Sequence, residues 1–282
     1  MLRIVTDGAA DLPNNWLTDY DIQMIPINIQ FGEHTYLSGV DLDTAGFYRL
    51  VEESGRIPKT SQPTPYQFKE FYEKIARAGE TILSMHVTSK LSGTFESAIS
   101  AARELKGKFN IIPFDSASGS AALGMMCREA RLMERAGAGI QQIIERMEKI
   151  RKQVSIILTL DKLDYARMSG RVGMLQAALA SVLNVKPIAM LHDGILEMVE
   201  RVRTRQRSLE RIVELLSDRF GRQRVNMAVL HARDPQAGHL LEKMARSCFQ
   251  IKELFTMDLT ISLVSNLGPG TVGLVAYPSG GE

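Results

Sequence analysis

Seven consecutive residues, Thr88-Ser89-Lys90-Leu91-Ser92-Gly93-Thr94, crowd hydroxyl groups around one glycine. They follow an apolar run, Thr81 to Val87, that reads as a buried strand, and precede an alanine-rich amphipathic stretch, Phe95 to Leu105, that reads as a helix. Hydroxyls beside the free amides of a helix start can donate to an oxyanion, whether phosphate or carboxylate. The plainer alternative is that Ser92 or Thr94 caps the helix. A second stretch, Pro58-Lys59-Thr60-Ser61-Gln62-Pro63-Thr64-Pro65, reads as a rigid loop in which three prolines fix the backbone and give Thr60, Ser61 and Gln62 definite directions. In a third, Ser265-Asn266-Leu267-Gly268-Pro269-Gly270, the glycines permit a sharp turn or a close backbone approach.

Other chemistries find less support. There is no Walker sequence, and Gly268-Pro269-Gly270 does not follow the dinucleotide fingerprint. His34, His86, His192, His231 and His239 show no i, i+4 pair and no cysteine partner, so no metal site is expected. A serine hydrolase would need Ser92 beside His86 and Asp115, but Ser92 is not in a Gly-x-Ser-x-Gly elbow. Arg201, Arg203, Arg205, Arg207 and Arg211 form a basic cluster, commonly a solvated helix face and otherwise a surface for an acidic partner.

These loops need elements to hold them. Leu2–Thr6, Ile22–Phe31, Thr81–Val87 and Asn110–Phe114 read as strands, alternating with helices opened near Pro13, Asp43, Tyr66, Phe95 and Ala121. That alternation predicts an α/β fold with a mostly parallel sheet, whose polar loops gather at the carboxyl ends of the strands, where open α/β sheets bind ligands. The texture changes near Val154, so two domains are expected, 1–152 and 153–282. The second contains an apolar, alanine-rich stretch, Gly173–Leu183, and a hairpin turn at His192-Asp193-Gly194.

The chain has 282 residues, 45% hydrophobic and 23% charged, as in soluble globular proteins. A net charge of +2 and 6% aromatic content, with Trp16 alone of its type, disfavour nucleic-acid binding. Cys127 and Cys248 read as buried free thiols in a reducing compartment. With no signal peptide and no apolar run near the ~18 residues of a membrane span, a cytoplasmic protein is expected.

Seven short motifs occur in order: Thr6-Asp7, Pro58-Lys59-Thr60-Ser61-Gln62-Pro63, Ser92-Gly93-Thr94, Asp115-Ser116, Ser169-Gly170-Arg171, Val202-Arg203-Thr204 and Leu267-Gly268-Pro269-Gly270. Together they resemble the DegV family of bacterial fatty-acid-binding proteins, over essentially the whole chain. The resemblance implies two α/β domains, the first sharing its parallel-sheet fold with dihydroxyacetone kinase subunits. It implies a long acyl chain buried with its carboxylate at the interdomain cleft. It also implies no catalysis and no cofactor in this chain, and a separate kinase that converts the bound fatty acid to an acyl phosphate for phospholipid synthesis.

Carried over by motif, the ligand contacts are Thr60, Ser61, Ser92, Gly93, Thr94, Arg171, Asn266 and Gly268, and Arg203 is a charge partner near the head group or the kinase. Arg207 and Arg211 lie one above the other on a helix and are expected to form an exposed basic surface for an acidic kinase. Two positions depart from the family's pattern: Gly8 where serine is frequent, and Asn266 where histidine is frequent. An amide can bond a carboxylate but carries no charge. The rival reading is a kinase subunit of the dihydroxyacetone kinase type that binds a small polyol. Against it, no histidine for covalent attachment is evident near a strand end.

Overall fold

The computed structural model describes residues 2–13, 15–171 and 185–280. The apolar stretch Gly173–Leu183 lies outside the described residues. The chain divides into two compact units, Met1–Arg151 with Thr260–Ser262, and Lys152–Leu259 with Leu263–Glu282.

In chain order the first unit contains β1 (Leu2–Asp7), α1 (Trp16–Asp19), β2 (Ile22–Ile25), β3 (Asn28–Phe31), β4 (His34–Leu37), α2 (Thr44–Ser54), β5 (Lys59–Ser61) and α3 (Pro65–Ile75). Then come β6 (Thr81–His86), α4 (Thr94–Glu104), β7 (Asn110–Asp115), α5 (Ser120–Arg135) and α6 (Ile140–Gln153). Four strands form a parallel sheet in the order β2-β1-β6-β7. Strands in such a sheet are covered on both faces, and Ile4, Val5, Ile82 and Leu83 are accordingly fully buried. Val5, Ile25 and Ile82 pack with Phe68 and Tyr72 of α3 and with Ala98 and Ala101 of α4. The alanines let α4 lie close to the sheet, which brings its N-terminus to the strand ends.

Two local expectations change. Ile22–Phe31 is not one strand, because Pro26, which has no N–H for a ladder, separates β2 in the parallel sheet from β3 in a second sheet. The proline-rich stretch after Arg56 is not all loop. Lys59–Ser61 pairs antiparallel with β3, Thr60 lying opposite Ile29 and Ser61 opposite Asn28. Pro58 and Pro63 flank this short strand, and Thr64 then starts α3 with a reciprocal cap to Gln67.

The second unit contains β8 (Ser155–Thr159), α7 (Leu163–Ser169), β9 (Lys186–His192), β10 (Ile195–Val202), α8 (Arg205–Phe220), β11 (Arg224–His231), α9 (Pro235–Cys248), β12 (Gln250–Asp258) and β13 (Val272–Pro278). A short helix, α10 (Ile261–Leu267), begins in the first unit and ends in the second. The sheet order is β10-β9-β8-β13-β11-β12, so the last strand of the chain lies inside the sheet, antiparallel to both neighbours. Asp193 and Gly194, at φ 47 and 78, make the tight turn between β9 and β10.

One face of this sheet carries Ile157, Ile188, Val229 and Leu274 and packs against α8 and α9. Strand register puts Leu196, Leu191, Ile156, Val275 and Ala228 in one row on the opposite face, with Met198, Ala189, Leu158, Gly273 and Leu230 in the next. That second face is apolar throughout these rows. Cys127 is buried in α5, but Cys248 is exposed. Cys248 falls on the stripe of Ala237, Leu241 and Ala245, but as the last residue of α9 it lies where the helix, and the packing of that stripe, ends. Among the described residues no helix is long and apolar enough to cross a membrane.

Candidate functional site

Three strand ends of the parallel sheet lie side by side, those of β1, β6 and β7, and each carries a polar group. The Asp7 carboxylate accepts from the Ala9 amide at 2.9 Å, the Val87 amide at 3.0 Å and His86 Nδ1 at 3.0 Å. His86 Nε2 lies 2.7 Å from Ser84 Oγ, which in turn lies 2.8 Å from the Tyr72 hydroxyl. Asp7, Ser84, His86 and Tyr72 are all fully buried. The chain Asp-His-Ser has the order of a catalytic triad, but its serine is sealed beneath α3, where no substrate reaches it.

The network also decides two questions left by the sequence. A histidine does end a strand, since His86 closes β6, yet both of its ring nitrogens are engaged. The arrangement Ser92–His86–Asp115 is therefore not assembled; Asp115 bonds Ser89 and Ala117 instead. Burial likewise pushes the Cys127 thiol up to about 12 and the Tyr72 phenol well above its usual range.

From Val87 the chain runs over the strand ends to α4. Gly93 is the N-cap of α4 and has no side chain to cap with, so the helix-cap reading of Thr94 fails. Ser92 Oγ does accept from the Thr94 amide, at 3.3 Å, and lies 2.8 Å from Thr94 Oγ1. Thr94 is fully buried whereas Ser92 is half-buried. When Thr94 donates to Ser92, the Ser92 O–H is left to donate outward, strengthened by the bond it accepts. Thr94 thus stands behind Ser92 instead of beside it.

The two hydroxyl stretches meet. Gly93 has an ordinary φ of −77°, so its reason for being glycine is space. A Cβ there would lie 2.8 Å from Gln62 Nε2 and 3.1 Å from Gln62 Cδ. The Gln62 carbonyl is held by Asn28 Nδ2 at 3.2 Å, and β5 is held by β3. Thr60 is half-buried and Ser61 exposed on that strand. The first unit therefore joins Thr60-Ser61-Gln62 to Ser92-Gly93-Thr94 through the Gln62–Gly93 contact, which the sequence did not reveal. Nor did it reveal the return of Thr260–Ser262, where the Thr260 amide donates to Asp11 at 2.7 Å and Ser262 Oγ to the Gly8 carbonyl at 2.5 Å. Gly8 itself packs on Ile27, whose amide would lie 3.1 Å from a Cβ.

The remaining candidates belong to the second unit. Gly268 and Gly270 have φ of 83 and 76, in the left-handed region. Their turn packs on the end of β8: a Cβ at Gly268 would lie 3.0 Å from the Lys162 carbonyl, and one at Gly270 2.6 Å from Asp161 Cβ. Arg205 donates to the Gly270 carbonyl and to Asp234, both at 2.7 Å, so this arginine secures the turn. Asn266 is half-buried, and Arg171 is exposed with its guanidinium on the Ser169 carbonyl at 2.7 Å.

Arg203 is exposed. Arg207 bonds Glu210 at 3.2 Å and Glu214 at 2.7 Å, and Arg211 bonds Glu200 at 2.8 Å and also Glu214. These guanidinium groups hold the Glu200 and Glu214 carboxyls below their usual range. The two arginines do lie in one row, but three glutamates compensate them, so the row does not present the bare positive surface expected from the sequence.

Comparison with known proteins follows the same lines. The family model described as DegV matches residues 1–279. A DegV domain-containing protein of Listeria innocua is 31% identical over 275 residues, covering 97% of each chain. Protein DegV of Bacillus subtilis is 30% identical over 276 residues, 97% of this chain and 98% of that one. Among solved structures, a fatty-acid-binding DegV family protein from Thermus thermophilus superposes with a TM-score of 0.88 at 28% identity, over 98% of this chain and 99% of that one. DegV of Bacillus subtilis, described as a fatty acid binding protein, does so with a TM-score of 0.88 at 29% identity, over 99% of each chain. With the family match running the length of both units, the chain belongs to the DegV family.

Proposed function

We propose that this protein binds a long-chain fatty acid and holds its carboxylate on the hydroxyls of Ser92, Thr60 and Ser61. The observation that carries the proposal is the junction of the two hydroxyl stretches at Gly93 and Gln62, in a chain whose solved relatives from Thermus thermophilus and Bacillus subtilis are fatty-acid-binding proteins. Removing a carboxylate from water is costly unless donors replace the water, and the hydroxyls of Thr60, Ser61 and Ser92, the last backed by buried Thr94, are such donors. The acyl chain drives binding: at about 0.8 kcal/mol per buried methylene, a long chain contributes on the order of 10 kcal/mol.

The finer part of the proposal is presentation. A carboxylate held at strand ends by neutral donors keeps its charge and its nucleophilic oxygen. A separate kinase could then phosphorylate it, with this chain as the carrier.

Native mass spectrometry of the purified protein tests the binding step. Mass added by a fatty acid, or stoichiometric uptake of added oleate, is expected. A bare chain that takes up no oleate but binds glycerol or dihydroxyacetone would replace this reading with a polyol-binding one. The same assay on substituted chains tests Arg171, Asn266 and Gly268, the second unit's residues that the family resemblance assigns to the head group. Acyl-phosphate formation from loaded protein, ATP and a candidate kinase tests the presentation step.

A further inference from the structure

We infer that Asp115 is a positioning residue for the head-group hydroxyl of Ser92; the inference rests on the fatty-acid reading of that loop. Asp115 ends β7, the neighbour of β6. Its carboxylate accepts from Ser89 Oγ at 2.6 Å, lies 3.3 and 3.4 Å from the Ser89 amide, and accepts from the Ala117 amide at 2.8 Å. The turn it holds is strained: Ala117 sits at φ 46, a conformation that a residue with a Cβ keeps only when its surroundings impose it. From the same turn the Ser118 carbonyl accepts from the Thr88 amide at 2.7 Å, and Ser116 Oγ donates to the His86 carbonyl at 2.7 Å.

Thr88 passes the constraint on. Its carbonyl accepts from the amides of Leu91 and Ser92, each at 3.2 Å, so the loop folds back on a residue fixed by the Asp115 turn. Ser92 is therefore placed from Asp115 through three hydrogen bonds: the Ala117 amide to Asp115, the Thr88 amide to the Ser118 carbonyl and the Ser92 amide to the Thr88 carbonyl. The same carboxylate also occupies the hydroxyl of Ser89, the loop's rival donor, which leaves Ser92 to the ligand. A carboxylate near a carboxylate site would by itself weaken binding by repulsion. A positioning role predicts the opposite sign when Asp115 is removed, and this separates the two effects.

The test is a set of double-mutant cycles read by oleate affinity and thermal midpoint. Asp115→Ala should weaken oleate binding about tenfold, and combining it with Ser92→Ala should cost no more than Ser92→Ala alone, within about twofold. With Thr60→Val, whose hydroxyl sits on a different strand, the losses should multiply. Asp115→Asn keeps an acceptor for Ser89 and should restore most of the affinity. If Asp115→Ala does not fold, Ser89→Ala, which removes the hydroxyl that Asp115 holds, carries the same cycles.

Losses that multiply with Ser92→Ala, or tighter binding on removal of the charge, would overturn the positioning role while leaving the site intact. Unaltered oleate binding by Ser92→Ala would overturn the site and this inference together.

Discussion

The Gly93–Gln62 junction gives a sharp prediction, because stability and binding should respond to it differently. A methyl group at position 93 would stand 2.8 Å from Gln62 Nε2, where ordinary contact begins near 3.4 Å. The amide must therefore withdraw by about 0.6 Å, the difference of those two distances. Gln62 is exposed, and Nε2 is the far end of its side chain, so withdrawal itself is cheap. Backbone effects nearly cancel. Alanine at φ −77 is unstrained and lowers the entropy of the unfolded chain, worth about 0.4–1 kcal/mol. Alanine is also a poorer N-cap than glycine, which costs roughly the same.

Gly93→Ala should thus leave the denaturant midpoint nearly unchanged. It should weaken oleate binding about tenfold, or about 1.4 kcal/mol, because the Gln62 side chain that joins the two hydroxyl stretches is displaced. Isothermal titration beside urea unfolding measures both quantities on one preparation. Adding Gln62→Ala removes the clash and should restore affinity. Two results would refute the reasoning: unaltered binding by Gly93→Ala, or a loss of binding that Gln62→Ala does not relieve.

Three further outcomes follow from the geometry. Gly268→Ala forces a φ of 83 on a residue with a Cβ and sets that carbon 3.0 Å from the Lys162 carbonyl, so urea unfolding should show a loss of at least about 1–2 kcal/mol. A thiol reagent at neutral pH should modify Cys248 alone in the native protein and Cys127 only on unfolding, since burial raises the Cys127 thiol to about 12. Glu200 and Glu214, held below their usual range by Arg211 and Arg207, stabilise the fold above the unfolded carboxylate value of about 4.3. Their contribution is lost as pH falls through the lower folded values. Thermal midpoints of Glu200→Gln should consequently fall less steeply below pH 4.3 than those of the unaltered protein.

The α/β class and the mostly parallel first sheet were legible in the sequence because strands buried on both faces read as short apolar runs, and those at Leu2 and Thr81 do so here. The hydroxyl loop was legible for a similarly local reason: its residue types and its place between strand and helix are properties of neighbouring residues. Pairing was not. Ile22–Phe31 reads as one strand; Pro26 interrupts it, and the departure of β3 to a second sheet makes that interruption a division. Lys59–Ser61 has too few residues for a periodicity and becomes a strand because β3 offers it a partner.

The charged groups show the same division. Of the three glutamates that compensate Arg207 and Arg211, Glu210 and Glu214 lie within helical spacing of them, whereas Glu200, which neutralises Arg211, lies on a different element, beyond that reach. Asp7, His86 and Ser84 carry no motif that marks them as a network, since Asp7 is 79 residues from His86 and the parallel pairing of β1 with β6 brings them together. Gly93 is the clearest case. Its sequence context shows only a glycine among hydroxyls, its backbone angles need no glycine, and the space it leaves is taken by the Gln62 side chain placed there by another sheet. Local chemistry is written in residue order, but which side chain fills the space beside a given atom is decided by strand pairing across long separations.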